Sequence, residues 1–235
     1  QMEKIAKVLA ENNLKFIRGG IFKPHTFPYK EPDLVEEGLK ILKGVTDKYN
    51  LISVSEIMAV SQIKFASPYI DVLQVGARNM QNLPLLIEIG KTGKPVVLKR
   101  HPGSSPRDFL GAAEWLMYYG CKNIILCERG ITVPYTHDVN ARWVLDIEIV
   151  PAIKRLTKIP IILDVTHSSG VREFVPPLMT AAAGVGADGL MAEIKPEEPN
   201  QPRAAGRDQV INLEEFNQTM EKVKKINQVM GKVTV

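Results

Sequence analysis

The length, composition and charge of the chain fit a single globular domain. The chain has 235 residues, of which 45% are hydrophobic, and a formal net charge of +4 at pH 7. Because the basic residues are dispersed among carboxylates and form no runs, we do not expect nucleic-acid binding. No apolar run approaches the ~20 residues of a membrane span, and no signal-peptide pattern opens the chain, so we expect no membrane association.

The cysteines give a further indication of the setting. Only Cys121 and Cys127 occur, and a separation of six positions fits neither a disulfide framework nor a zinc motif. A reducing cytoplasm is the simplest location for such a chain.

Hydrophobic periodicity predicts one opening helix followed by seven repeats of strand and helix. The predicted helices are 2–13, 35–49, 60–66, 83–89, one from 106, 149–156, 174–185 and one from 212. The predicted strands are 15–18, 51–54, 72–75, 95–98, 123–127, 161–163 and 189–192. Ser105 and Pro106 form a helix start, and Asn212 with Glu215 has the spacing of a capping box.

Seven such repeats predict an α/β fold of the (β/α)8 TIM-barrel type, with residues 1–235 as one catalytic domain. A closed barrel of this type needs eight strands, because an open edge would leave backbone groups unpaired. We therefore expect the first strand of the barrel to precede Gln1.

Charged side chains follow almost every predicted strand at its carboxyl end, where barrel active sites lie. The strand ends carry Arg18, Glu56, Arg78, Lys99 with Arg100, Glu128 with Arg129, His167 and Glu193. Four of the seven ends supply Arg or Lys, which is costly at one mouth unless an anion neutralises them. This pattern predicts a phosphorylated or carboxylated substrate. The alternative is a scatter of solvated charges, which would not favour one end of each strand.

Four runs of residues carry a resemblance to a known family. They are 15–24, 73–82, 93–100 and 125–131, and they resemble the short form of the 3-deoxy-D-arabino-heptulosonate 7-phosphate (DAHP) synthases. The segment 164–168 is closer to the related 3-deoxy-octulosonate 8-phosphate synthases. The resemblance implies condensation of phosphoenolpyruvate with a phosphorylated aldose, with a divalent metal in most members.

The resemblance also implies roles for the donor site. Arg78 and Arg129 match the arginines that hold the phosphate of phosphoenolpyruvate, because a guanidinium fork binds phosphate bidentately. Lys99 and Arg18 match groups at the substrate carboxylate and the bridging region. Glu56 matches an acid that orders water.

Four further positions are implied to bind substrate: Lys23, Thr26, Ala77 and Arg100. Lys23 matches the lysine between the donor and acceptor sites and is also a candidate catalytic residue. For any single charged residue of this set, a surface ion pair is the alternative.

For the metal, the resemblance implies His167 and Glu193 as ligands, a mixed set that suits Mn²⁺, Fe²⁺, Zn²⁺ or Co²⁺ without choosing among them. Asp208 is the candidate third ligand, although Gly206 falls nearer the gapless position. A fourth ligand, a Cys, would precede Gln1. The alternative is that His167 only forms hydrogen bonds and binds no metal. As a ligand, His167 is a candidate catalytic residue, and the other candidates are Lys99, Glu56 and Lys23.

The chain departs from the family most clearly on the acceptor side. His25 and Phe27 occupy positions where the family has an Arg and a Ser of the acceptor phosphate site. Erythrose 4-phosphate is the favoured acceptor, which would make the reaction the first step of the shikimate pathway. The alternatives are a different aldose, a non-catalytic barrel acting as a binding or regulatory subunit, and another phosphate-binding barrel enzyme.

The resemblance further implies assembly as a homodimer or homotetramer. The apolar residues around Met80 and in 83–85 are candidates for part of an interface, although a buried helix face explains them equally well.

Overall fold

The computed structural model describes residues 1–22, 35–139, 141, 143–196 and 209–233. The chain divides into two compact units. The first contains 2–99 and 108–124, and the second contains residue 1, 100–107 and 125–235. Lys23, Thr26 and Asp208, together with His25 and Phe27, lie outside the described residues.

The first unit alternates helices with parallel strands. Its elements are α1 (Met2–Glu11), β1 (Phe16–Arg18), α2 (Val35–Tyr49), β2 (Ile52–Ile57), α3 (Val60–Ala66), β3 (Val72–Val75), α4 (Leu83–Lys91), β4 (Val96–Lys99) and most of α5 (Pro106–Tyr118). Strands β1 to β4 pair in chain order, with Arg18 opposite Val54, Ile57 opposite Val75 and Val75 opposite Leu98. This order is the one expected when each helix is a crossover between adjacent parallel strands.

Burial explains why these segments form strands and helices. Every residue of β3 and β4 is buried, as expected for a parallel strand that is covered on both faces. The helices contribute one apolar stripe each, such as Leu39 and Leu42 of α2. In α4 the side chain of Asn82 accepts a hydrogen bond from the Leu85 amide and caps the helix.

The second unit repeats the pattern. Its elements are β5 (Ile124–Glu128), α6 (Ile149–Leu156), β6 (Ile161–Asp164), α7 (Val165–Ser169), α8 (Val175–Gly184), β7 (Gly189–Met191), β8 (Ile194–Lys195), β9 (Ile211–Asn212) and α9 (Leu213–Val229). Glu128 of β5 lies opposite Leu163, and Asp164 of β6 lies opposite Met191. The short strands β8 and β9 form a separate parallel pair.

The last helix begins as the sequence predicts. The Asn212 side chain accepts from the Glu215 amide at 2.8 Å, and the Glu215 carboxylate accepts from the Asn212 amide at 2.9 Å. The two contacts are the reciprocal bonds of a capping box.

Arg172, in the turn before α8, also donates to the Glu215 carboxylate. Burial raises the pKa of that carboxyl group, but the hydrogen bonds from Arg172 and from the Asn212 amide outweigh burial and lower the pKa overall.

All seven predicted strands and all eight predicted helices are present, with bounds that differ from the predicted ones by at most three residues. Strand β2 runs on to Ile57 because Ser55 and Glu56 are buried within it. Prediction missed α7, β8 and β9, which have five residues or fewer and are too short for periodicity to detect. None of the described helices is long and apolar enough to cross a bilayer.

The candidate interface segment is part buried and part exposed. Met80 and Leu85 are fully buried within the first unit, whereas Leu83 and Pro84 are exposed. Burial inside the unit accounts for Met80 and Leu85, and a role of this segment in an interface stays a prediction.

Candidate functional site

In the first unit, three polar side chains from neighbouring strands are connected by hydrogen bonds. The Nε of Arg18 donates to Oε1 of Gln74 at 2.9 Å, and the Nε2 of Gln74 donates to Oε2 of Glu56 at 2.9 Å. The Nη2 of Arg18 lies 3.6 Å from the same Glu56 oxygen. Gln74 and Glu56 are buried, so this bonding is what makes their burial tolerable. Gln74 was not predicted as a site residue, although an amide inside an apolar strand was a signal for one.

Glu56 also constrains the backbone of the next strand end. A Cβ on Gly76 would lie 2.0 Å from Oε1 of Glu56 and 2.7 Å from its carboxyl carbon. The absence of a side chain at Gly76 therefore makes room for the Glu56 carboxylate. Packing against Glu56 thus explains why the residue at position 76, at the start of the run Gly76-Ala77-Arg78, is a glycine.

Two further predicted donor residues belong to the first unit. Arg78 lies with Ala77 in a 3₁₀ turn (Ala77–Asn79) that follows β3. Lys99 is the last residue of β4 and is 4% exposed. Because β3 and β4 are adjacent and parallel, their carboxyl ends lie at the same edge of the sheet. A buried ammonium and a guanidinium at that edge fit an anionic substrate.

In the second unit, Arg100 is the centre of a buried charge network. Its Nη1 donates to Oε2 of Glu128 at 3.0 Å and to Oδ2 of Asp146 at 2.7 Å. Its Nε and Nη2 donate to the Ser104 carbonyl at 3.1 and 2.9 Å. Burial raises the pKa of Glu128, and the neighbouring Arg100 opposes that shift. These bonds give Arg100 a structural role, and its predicted contact with substrate stays a prediction.

Arg129 has a different kind of partner. Its guanidinium carbon lies 3.9 Å from the ring centroid of Trp143, a cation–π stack. Its Nη2 lies 3.4 Å from the His167 carbonyl, a long contact. Trp143 was not predicted as a site residue because nothing in the sequence brings it to Arg129.

The predicted metal ligands His167 and Glu193 lie together in the second unit. The Nε2 of His167 is 3.3 Å from Oε1 of Glu193. On the other side of the ring, Nδ1 is 2.9 and 3.1 Å from the two carboxylate oxygens of Asp164. The backbone amide of Glu193 donates to the Thr166 hydroxyl at 3.0 Å, and the side-chain amide of Gln209 donates to Oε2 of Glu193 at 3.1 Å.

This arrangement fits two ligands of a divalent ion. An imidazole whose Nδ1 is fixed by a carboxylate presents Nε2 as the ligand atom, and Glu193 supplies a carboxylate oxygen beside it. Within the described ranges, no group of three candidate side chains is placed to hold a metal. The third predicted ligand, Asp208, is outside those ranges.

Comparison with known proteins gives three kinds of match. The family model described as the DAHP synthetase I family matches residues 1–229. A phospho-2-dehydro-3-deoxyheptonate aldolase of Thermotoga maritima is 39% identical over 226 residues, which cover 96% of this chain and 65% of that protein. The chain therefore spans less than two thirds of that relative. A 2-dehydro-3-deoxyphosphooctonate aldolase of Geobacter sulfurreducens is 30% identical over 207 residues, covering 83% of this chain and 73% of that protein.

Solved structures agree with the sequence matches. The crystal structure of the Thermotoga maritima phospho-2-dehydro-3-deoxyheptonate aldolase (DAHP synthase) superposes with a TM-score of 0.88 at 38% identity, covering 99% of this chain and 66% of that one. A truncated form of the Thermotoga maritima enzyme gives a TM-score of 0.87 at 37% identity, covering 99% and 84%. These superpositions confirm the predicted fold class.

The steric fit of Gly76 gives a test of the Glu56 cluster. In Gly76→Ala the new methyl group displaces the Glu56 carboxylate and strains its bond to Gln74, and we expect a loss of about 1–3 kcal/mol in the free energy of unfolding. Urea denaturation followed by circular dichroism measures the change.

The matched control is Gly44→Ala in α2, where an added Cβ meets nothing within 4 Å. That substitution removes a helix glycine and should raise the free energy of unfolding by about 0.5–1 kcal/mol. A Gly76→Ala protein as stable as the wild type would contradict the assigned packing.

Proposed function

Because this chain belongs to the DAHP synthetase I family, we propose that it condenses phosphoenolpyruvate with a phosphorylated aldose, with erythrose 4-phosphate as the favoured acceptor. The product is a 3-deoxy-2-keto sugar phosphate, and the step is the first of the shikimate pathway. The observation that carries the proposal is the placement of Arg18, Arg78 and Lys99 at the carboxyl ends of β1, β3 and β4, which belong to one run of parallel strands in one unit. Arg129 follows a strand of the other unit.

The proposed donor site separates the two anionic groups of phosphoenolpyruvate. Arg78 and Arg129 bind the phosphate, because guanidinium groups match phosphate oxygens bidentately. Lys99 and Arg18 bind the carboxylate and the bridging region. The bond from Arg18 to Gln74 orients the guanidinium of Arg18, which reduces the entropy lost on binding.

In the proposed reaction, C3 of phosphoenolpyruvate forms a bond to the aldehyde carbon of the acceptor. The aldehyde oxygen takes up a proton and becomes a hydroxyl group, while water adds at C2 and gives up a proton. The resulting hemiketal phosphate loses inorganic phosphate to leave the 2-keto group. Glu56 orders the water that adds at C2, and Lys99 takes part in proton transfer near C2. The bond from Gln74 fixes the Glu56 carboxylate for that task.

A divalent ion would be held by His167 and Glu193, with Asp208 as the third proposed ligand. Mn²⁺, Fe²⁺, Zn²⁺ and Co²⁺ all suit an imidazole with carboxylates. When bound, the ion supplies Lewis-acid polarisation of the acceptor carbonyl. Asp164 holds the His167 ring in the orientation that this ligation requires.

We also place the protein in the cytoplasm and expect it to form a homodimer or homotetramer. Cys121 and Cys127 are buried free thiols, which suits a reducing compartment. Burial slows oxidation, and it raises the pKa of the Cys121 thiol, which keeps that group in its less reactive form.

The decisive test of the proposed function is release of inorganic phosphate from phosphoenolpyruvate with a panel of aldoses, with and without Mn²⁺. We expect release to require an aldose and to be fastest with erythrose 4-phosphate. Binding of phosphoenolpyruvate without release for any aldose would favour a non-catalytic binding protein. Absence of binding would reject the donor site altogether.

The donor site itself is tested by Arg129→Ala. Removing a charge-assisted fork should weaken phosphoenolpyruvate binding by roughly 2–4 kcal/mol, measured by calorimetry. Arg155→Ala, an exposed arginine in the last turn of α6, is the control and should bind as the wild type does. Equal affinities in all three proteins would remove Arg129 from the site.

The acceptor assignment is tested by His25→Arg. This change restores a permanent cation where the imidazole charge depends on pH near an ordinary pKa of about 6.5. We expect a lower KM for erythrose 4-phosphate, while the KM for phosphoenolpyruvate stays within about twofold because only acceptor binding gains a contact. Steady-state kinetics with each substrate varied in turn measures both constants. Unchanged erythrose 4-phosphate kinetics, or faster turnover of an unphosphorylated aldose by the wild type, would reject this acceptor.

A further inference from the structure

We propose that Trp143 is a positioning residue for anion binding, which fixes the guanidinium of Arg129 by stacking on its face. The proposal rests on the proposed function, because it takes the anion to be the phosphate of phosphoenolpyruvate. It concerns a side chain to which neither the sequence patterns nor the comparisons give a role.

The stack itself has the geometry of a strong cation–π contact. The guanidinium carbon of Arg129 lies 3.9 Å from the centroid of the indole ring, well within the ~6 Å limit for such contacts. Tryptophan is the aromatic residue that binds cations most strongly in this way. Both side chains belong to the second unit, so the contact lies within one compact unit.

The choice of partner matters for the function of the arginine. Arg100 shows the other solution, in which the carboxylates of Glu128 and Asp146 accept hydrogen bonds from its Nη1. A carboxylate partner uses N–H groups and cancels the positive charge. An aromatic face instead contacts the π surface of a guanidinium, so the stack itself neither uses the N–H groups nor cancels the positive charge. Stacking on Trp143 can therefore fix the orientation of Arg129 without itself neutralising the guanidinium.

The backbone around Trp143 fixes the indole at this position. An antiparallel bridge joins Ile131 to Val144, with bonds of 2.9 and 3.2 Å between their backbone groups. Two residues beyond that bridge, Asp146 is bound to Arg100 and accepts from the Ile149 amide at 3.2 Å. Trp143 thus directly precedes a residue whose backbone is bonded to Ile131, two positions after Arg129.

Gly130 is the second constraint on this packing. It has φ of +102°, a conformation that favours glycine, and a Cβ at this residue would lie 2.6 Å from the Cβ of Trp143. The sequence Arg129-Gly130 therefore combines the anion-binding side chain with the gap into which Trp143 packs. The same glycine donates its amide to the Glu128 carboxylate, which connects the stack to the buried charge network.

The test is a double-mutant cycle between Trp143 and Arg129, with phosphoenolpyruvate affinity measured by calorimetry. We expect Trp143→Leu to raise the Kd for phosphoenolpyruvate about tenfold, the range of a partly desolvated cation–π contact. Trp143→Phe keeps an aromatic face and should remain within about threefold of the wild type. In the Arg129→Ala background, Trp143→Leu should change the Kd by less than about twofold, because the residue through which it acts is gone.

Kinetics and fluorescence separate positioning from general damage to the fold. Trp143→Leu should raise the KM for phosphoenolpyruvate and leave the KM for the aldose unchanged, which a loss of stability would not do. Trp115→Phe, on α5, leaves Trp143 as the sole tryptophan and should keep wild-type kinetics, since Trp115 is partly exposed and stacks on Tyr119. In that protein, phosphoenolpyruvate should change the Trp143 emission, and Arg129→Ala should abolish the response.

The possible results lead to distinct conclusions. Equal effects of Trp143→Leu with and without Arg129 would overturn the positioning role while leaving the donor site intact. The positioning role would also be overturned if Trp143→Leu left the Kd for phosphoenolpyruvate unchanged while Arg129→Ala raised it. A wild-type protein that does not bind phosphoenolpyruvate would overturn the proposed function, and with it the role of Trp143.

Discussion

Burial of charge at the ends of apolar strands is the constraint on which the rest of this structure depends. A parallel sheet covered on both faces leaves its strand ends as the places where polar side chains can gather. A charged group buried there is costly unless a partner of suitable geometry compensates for its lost hydration. Both units meet this requirement with chains of hydrogen bonds. Gln74 connects Arg18 to Glu56 in the first, and Arg100 connects Glu128 to Asp146 in the second.

The basic side chains differ in the kind of partner that they contact. Arg100 is committed to two carboxylates and a backbone carbonyl, which makes it an anchor for the segment that ends at Asp146. Arg129 is stacked on an indole, which orients the side chain and does not itself cancel its charge. Arg100 and Arg129 thus have different electrostatic surroundings, because one faces carboxylates and the other faces a ring.

His167 shows the same principle at the proposed metal site. The carboxylate of Asp164 serves twice, since it caps α7 by accepting from the His167 amide and also bonds to the imidazole Nδ1. The helix start and the ring orientation are therefore set by one buried group. The Thr166 hydroxyl accepts a hydrogen bond from the backbone amide of Glu193, and this bond holds the second proposed ligand beside His167. The five-residue helix α7 is therefore capped by the same carboxylate that bonds to the His167 ring.

The sequence by itself determined the alternation of strands and helices, the fold class and the family, because apolar periodicity and the strand-end motifs are local properties of the chain. It also identified His167 and Glu193, which the structure brings within 3.3 Å of each other. Only the tertiary structure decided the partners of the charges. Gln74, Asp146 and Trp143 are 56, 46 and 14 positions from the arginines they contact, and no local pattern encodes such contacts. Whether an arginine at a strand end is bonded to carboxylates, as Arg100 is, or stacked on a ring, as Arg129 is, depends on which side chain packs against it, and packing exists only in the folded chain.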